Sequence, residues 1–187
     1  MNRHGCFALV FAANAVLNVV ASDDIFGGTC YVQESVRRLK AGGALKCRMK
    51  YAAAVSEWTM PGLGLPTNGV EASTWRSGAG RTTCLVLSQG ESMLVNVMTR
   101  ICSGPDGAQS ALCEHFDSMT RLRVWPCTTN GCGDVAFCSL LPDQSHVVFC
   151  RNNVFAVVDS WTNAICATNI ARQIDAAILR ASGVPAE

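Results

Sequence analysis

Apolar positions along the chain follow two periods, and the alternation between them predicts the elements. Val32, Val36 and Leu39 fall at i, i+4 and i+7, so they share one face of a helix over Cys30–Ala41, with Arg37, Arg38 and Lys40 turned outward. Thr29 suits its N-cap, and Gly42-Gly43 ends it. A second helix is expected over Leu45–Val55, followed by a loop through TMPGLGLPTNG, whose two prolines and three glycines exclude regular structure. TTCLVL (82–87) reads as a buried strand, and Met93, Val95, Val97 and Ile101 keep a period near two, which predicts another. Asp106 with Gln109 three residues on has capping-box spacing, opening a helix whose inner face carries Leu112, His115, Phe116 and Met119. RLRVW, DVAFCSL, HVVFC and VFAVV are short β-rich runs, and Leu141 to Ser145 has the chemistry of a hairpin turn. A last helix is expected from Trp161 to Ala181, burying Trp161, Ile165, Ile174 and Ile178. Helices bracketing a mainly antiparallel sheet define an α+β layered sandwich.

The first 22 residues change the picture of where this domain folds. A basic start at Arg3, the uncharged run CFALVFAANAVLNVVA and small residues at Ala21 and Ser22 read as a secretory signal cleaved after one of the latter two. The run is shorter than the roughly 20 apolar residues of a membrane span. Residues 23–187 then form a single domain, with no repeat or long linker to divide them.

Cysteine usage agrees with export. Of 11 cysteines, Cys6 leaves with the signal. Cys30, Cys47, Cys84, Cys102, Cys113, Cys127, Cys132, Cys138, Cys150 and Cys166 remain, an even set that in an oxidising compartment implies up to five bridges of open pairing. Formal charge is balanced once Arg3 is removed, so no overall nucleic-acid footprint exists. The local exception is Arg37, Arg38, Lys40, Lys46, Arg48 and Lys50, a solvated helix face or a patch for an anionic ligand.

Candidate chemistry is sparse. Two histidines, His115 and His146, lie beyond the signal, and no GxSxG, HExxH or GxxxxGK[ST] pattern occurs. His115 beside Phe116 on an apolar helix face reads as a satisfied core histidine. His146 lies near Asp143 and Cys150 in sequence, but Cys150 in an exported chain reads as half of a disulfide rather than a nucleophile. The spacing of Cys127, Cys132 and Cys138 is looser than that of zinc knuckles, with no histidine at ligand distance, so neither metal nor cofactor is expected. Trp58, Trp75, Trp125 and Trp161 are scattered singly, as core anchors are.

Several patches, taken in order, resemble the SAG surface antigens of coccidian (Eimeria-type) apicomplexan parasites. Cys30 begins a helix ending with Arg38, Ala41 and Gly42; EASTWR precedes Cys84; Cys113 follows PDG. DVAFCSLLPDQSHVVFC is similar to the family's long hairpin closing on a cysteine, here Cys150, and ICATN carries Cys166. The resemblance implies a CAP-like, disulfide-stapled α–β–α sandwich displayed on the parasite or secreted, serving host attachment or immune interaction without catalysis. Its partners would be host-cell surface components or anionic glycans. The chain departs from the family in lacking a cysteine shortly after Cys150 and in carrying Cys47, Cys102, Cys127, Cys132 and Cys138 in addition, so pairings do not transfer. Ser182-Gly183 is followed by no hydrophobic tail, and Arg172, Asp175 and Arg180 break the preceding helix as a membrane segment, so a released protein without a GPI anchor is expected. A small secreted enzyme, inhibitor or effector is the alternative, and an enzyme would show a perturbed, oriented histidine open to a cleft.

Overall fold

The computed structural model describes residues 51, 53–57, 59–63, 70–78, 81–118, 125–126, 132–141 and 144–184. The signal, the predicted helix over Cys30–Ala41, the basic set Arg37, Arg38, Lys40, Lys46, Arg48 and Lys50, and Cys30, Cys47 and Cys127 lie outside these residues.

The elements in chain order are β1 (Glu71–Ser77), β2 (Thr82–Gln89), β3 (Ser92–Ile101), α1 (Pro105–Ser118), β4 (Trp125–Pro126), β5 (Val135–Leu141), β6 (Gln144–Arg151), β7 (Val154–Ser160) and α2 (Ala167–Ala181). The strands form one sheet in the order β1-β2-β3-β7-β6-β5-β4, antiparallel throughout. The α+β expectation holds.

Side-chain alternation assigns a helix to each face. Val147 and Phe149 on β6, with Val154, Ala156 and Val158 on β7, pack with Ile170, Ala171, Ile174 and Ile178 of α2. The intervening Val148, Cys150, Phe155 and Val157 pack on the opposite face with Ala108, Leu112 and Phe116 of α1. Both faces of β6 and β7 are therefore buried, which is why HVVFC and VFAVV are nearly unbroken apolar runs. β2 and β3 instead alternate, burying Leu85, Leu87, Val95 and Val97 on the α2 side only.

Four sequence expectations are corrected. Part of the helix expected over Leu45–Val55 is not helical: Tyr51 and residues 53–57 run as an irregular strap. The Asn153 amide explains this, accepting from Val55 N–H at 2.8 Å and donating to Val55 O at 2.9 Å, as a paired strand would. α1 starts at Pro105, whose missing N–H costs nothing at a first helical position, so Asp106 sits inside the first turn and is not the cap. The first helical bond runs from Ala108 N–H to Gly104 O. The final helix begins at Ala167, six residues later than expected. Ser160 Oγ donates to Ile165 O at 2.6 Å and curls residues 161–166 into a turn. Trp161 consequently stands 38% exposed instead of buried. Finally, β1 is a strand where the apolar pattern predicts no element, because as an outer strand it buries nothing and shows no apolar period.

One polar assembly ties the layers together. Arg151, closing β6, donates from Nε to Asp175 Oδ1 at 2.7 Å and from Nη2 to Oδ2 at 2.6 Å, a bidentate pair with α2. Its Nη1 lies 3.3 Å from Asp134 Oδ1, which also accepts from Tyr51 OH at 2.6 Å. Asp134 Oδ2 takes the Asn152 N–H, in a two-residue turn where Asn152 adopts φ 53. Gly133 admits the chain to this corner: at φ +69, a Cβ there would meet Cys150 O at 2.8 Å. Burial alone would lower the Arg151 pKa, but the Asp175 carboxylate outweighs it and holds the guanidinium above its ordinary value. Burial, followed by the bond to Asp134, pushes the Tyr51 phenol up.

Removing one partner of this pair strands the other charge. Asp175→Asn and Arg151→Met each lower unfolding free energy by roughly 3–5 kcal/mol in urea titrations. A change within about 0.5 kcal/mol, the usual range of surface substitutions, would show that the pair does not hold α2 to the sheet.

Candidate functional site

The densest reactive chemistry lies on the α1 face. The antiparallel register places Ser139, His146 and Asp159 side by side on β5, β6 and β7. His146 Nδ1 lies 2.6 Å from Asp159 Oδ1, and with the carboxylate accepting, the ring donates through Nδ1. Above it, the α1 residue His115 stacks on the same ring, with centroids 5.7 Å apart and planes 13° from parallel. Phe155 tilts against His115 at 5.7 Å, and Phe116 meets Phe137 edge-on at 4.9 Å. His115 Nε2, His146 Nε2 and Ser139 Oγ are all buried without a hydrogen-bond partner.

This corrects the reading of His115 as a satisfied core histidine. Burial first, then the neighbouring His146, lowers its pKa to about 4, against a smaller opposing pull from Asp159. His146 takes Asp159 as its partner, not a cysteine. Cys150 shares its strand face but lies four residues along, about 13 Å at the strand rise. Its Sγ approaches Ala108 O at 3.1 Å.

A serine, a histidine and an aspartate in one row resemble the parts of a nucleophilic site, but their placement opposes that chemistry. His146 and Ser139 are each 1% exposed, and the second histidine roofs the first. A substrate carbonyl must come within about 3–3.5 Å of an attacking oxygen, which this packing prevents.

The cysteines divide by face. Cys113 and Cys150 belong to the α1-side core and Cys102 packs against it. Cys84 stands in register with Met98, which packs against that same core. Cys132 belongs to the α2-side core and Cys138 packs against it. Cys166 is exposed at the N-cap of α2. No disulfide joins any two of the described cysteines. Burial raises the Cys84, Cys102 and Cys132 thiols, so none of these three is primed as a nucleophile. Among the described residues no group of three His, Cys, Asp or Glu side chains could hold a metal ion.

Unequal helix cover leaves a second feature. α1 lies over β6 and β7, so the same face of β1, β2 and β3 is left partly open. Trp75, Cys84 and Met98 stand directly beside one another across these three strands. Trp75 is 49% exposed, which corrects its reading as a core anchor. Met93 and Trp161 are the other large apolar side chains exposed among the described residues. No helix among the described residues is long and apolar enough to cross a membrane. Comparisons with protein-family models, curated proteins and solved structures return no match to this chain.

The sheet also limits cross-linking. A disulfide needs Cα atoms within about 7 Å and Cβ atoms pointing together, which residues on opposite faces do not offer. Non-reducing peptide mapping of the mature protein is expected to find no bond from Cys84, Cys102, Cys113 or Cys150 to Cys132 or Cys138. One such bond would show that the faces are assigned wrongly.

Proposed function

We propose that the chain is an exported, non-enzymatic recognition module, a secreted or surface-displayed antigen of the coccidian SAG type with a CAP-like, disulfide-stapled α–β–α sandwich. The observation that carries this reading is the contrast between the two halves of the α1 face. Its reactive row is sealed beneath a helix, while the half over β1 to β3 presents an aromatic side chain to solvent. Large aromatic residues supply much of the energy at protein interfaces because they bury wide area at small entropic cost. Attachment to host-cell surface components through this face fits the export signal and the cysteine-rich composition. The basic set from Arg37 to Lys50 would add attraction to anionic glycans.

A second reading, a small secreted enzyme, draws on the lowered pKa of His115 and the Asp159-oriented His146. Their burial weighs against it.

The test is binding of recombinant residues 23–187 to intact host cells. Trp75→Ala is expected to weaken binding roughly thirtyfold, the equivalent of about 2 kcal/mol for an interface aromatic. Salt is expected to weaken only the part that Arg37, Arg38 and Lys40 contribute, because exposed charges are screened over about 8 Å at physiological ionic strength. Absence of binding by the unaltered protein rejects attachment. Undiminished binding by Trp75→Ala rejects this face as its site.

A further inference from the structure

We propose that His115, stacked on His146, is an acid-released clasp, which holds the C-terminal half of α1 on the sheet while its ring is neutral and frees it when that ring is protonated.

The two ends of α1 are held by different chemistry. At the N-terminal end, the Cys150 thiol engages Ala108 O at 3.1 Å, and Gly107 fits so closely that an added Cβ would lie 3.2 Å from Cys102 Cβ. Neither contact depends on protonation in the acid range. At the C-terminal end, His115 lies flat on His146 at 5.7 Å, flanked by Phe155. The two rings pack there as aromatic groups do. His115 Nε2 is buried without a partner, so an N–H at that atom in the charged ring has nothing to receive it. A charged His115 also places a cation in a poorly solvated layer of rings.

The surrounding groups do not neutralise that charge. From β7, Asp159 is already bound to His146 Nδ1. From β6, Cys150 is the other titratable group on this face, and β5 offers only uncharged Ser139 beside His146. On α1 itself, Glu114 pairs outward with Arg100 of β3 at 3.7 Å, both side chains being well exposed. Among the described side chains, the carboxylate on this face is therefore engaged by His146 and not by His115.

The sign follows from linkage. His115 has a folded pKa of about 4, below its ordinary 6.5. Between these values the released state binds more protons than the docked one. The docked helix is fully stable above the ordinary imidazole range, and that stability falls as pH drops from there through about 4. Release uncovers Leu112 and Phe116 together with Phe137, Val148 and Val157, the apolar surface they cover.

Amide hydrogen exchange of the full mature chain, corrected for intrinsic rates, tests the clasp. From neutral pH to about pH 4, protection of the C-terminal half of α1 is expected to fall at least about tenfold, the effect of one pKa unit. α2 is expected to keep its protection, because its hold on the sheet is the Arg151–Asp175 pair. His115→Phe keeps an aromatic ring without a titratable nitrogen and is expected to abolish the acid loss in α1; His115→Gln gives a second neutral form. Parallel loss of protection in α1 and α2 overturns the proposal, as does undiminished acid sensitivity in the His115 variants. Ring titration of the unaltered protein by NMR is an independent check on folding: a His115 that titrates near 6.5 while α1 stays docked also overturns it.

Discussion

The bidentate pair between Arg151 and Asp175 is the constraint on which the other layers depend. Hydrophobic burial brings Ile170, Ile174 and Ile178 of α2 onto the sheet, but it is non-directional and does not by itself fix the position of the helix. A guanidinium fork allows no such slack, because two parallel N–H···O bonds fix both distance and orientation. The same side chain reaches Asp134 at the entry to β5, and Asp134 holds both Tyr51 and the turn at Asn152. One buried cation thus joins a helix, two strands, a turn and the strap before β1. Buried ion pairs of this kind often add little net stability over an apolar replacement, yet they are costly to break. Specificity of layer packing is the benefit this geometry supplies.

The parts of the fold with a strong apolar period were legible in the sequence. β2, β3, β5, β6 and β7 fall where alternating or unbroken apolar runs placed them, and both described helices lie within or close to their expected spans. Failures occurred where tertiary contacts outweighed local pattern. Residues 53–55 have acceptable helix formers, but the Asn153 side chain fixes Val55 as an extended partner. Trp161 and Ile165 fit a helical face, but Ser160 captures Ile165 O and delays the helix. β1 is an outer strand with all seven residues exposed, so burial leaves no imprint on its composition.

The buried histidine site was half legible. Each histidine stands out in the sequence, but its partner does not, because the pairing depends on a register that apolar period does not specify. The signal was present in RNNV. A two-residue turn at Asn152-Asn153 makes the residue numbers of opposed positions on β6 and β7 sum to 305, which sets His146 against Asp159 and Cys150 against Phe155. Fixing the turn first would have exposed the His–Asp pair. The ionic assembly at Arg151 was less accessible, since Asp134 and Asp175 come from elements whose relative placement is known only after the layers form.

The same helix cover that conceals this chemistry divides the sheet into two kinds of surface. A helix is roughly 10 Å across and strands are spaced about 4.8 Å apart, so a single α1 covers little more than two strands of one face. Among the described residues, seven strands and one helix on that side leave the β1-to-β3 half without helical cover. On the covered half, polar groups must find internal partners or remain unsatisfied: His146 Nδ1 meets Asp159, whereas the Nε2 atoms of both histidines have no partner. On the open half, Trp75 faces water at the cost of exposed apolar area, which monomers rarely carry in contiguous patches without a role. The partly exposed row of Trp75, Cys84 and Met98 and the buried stack of His115 on His146 therefore have one geometric origin, the width of a helix against the width of a sheet.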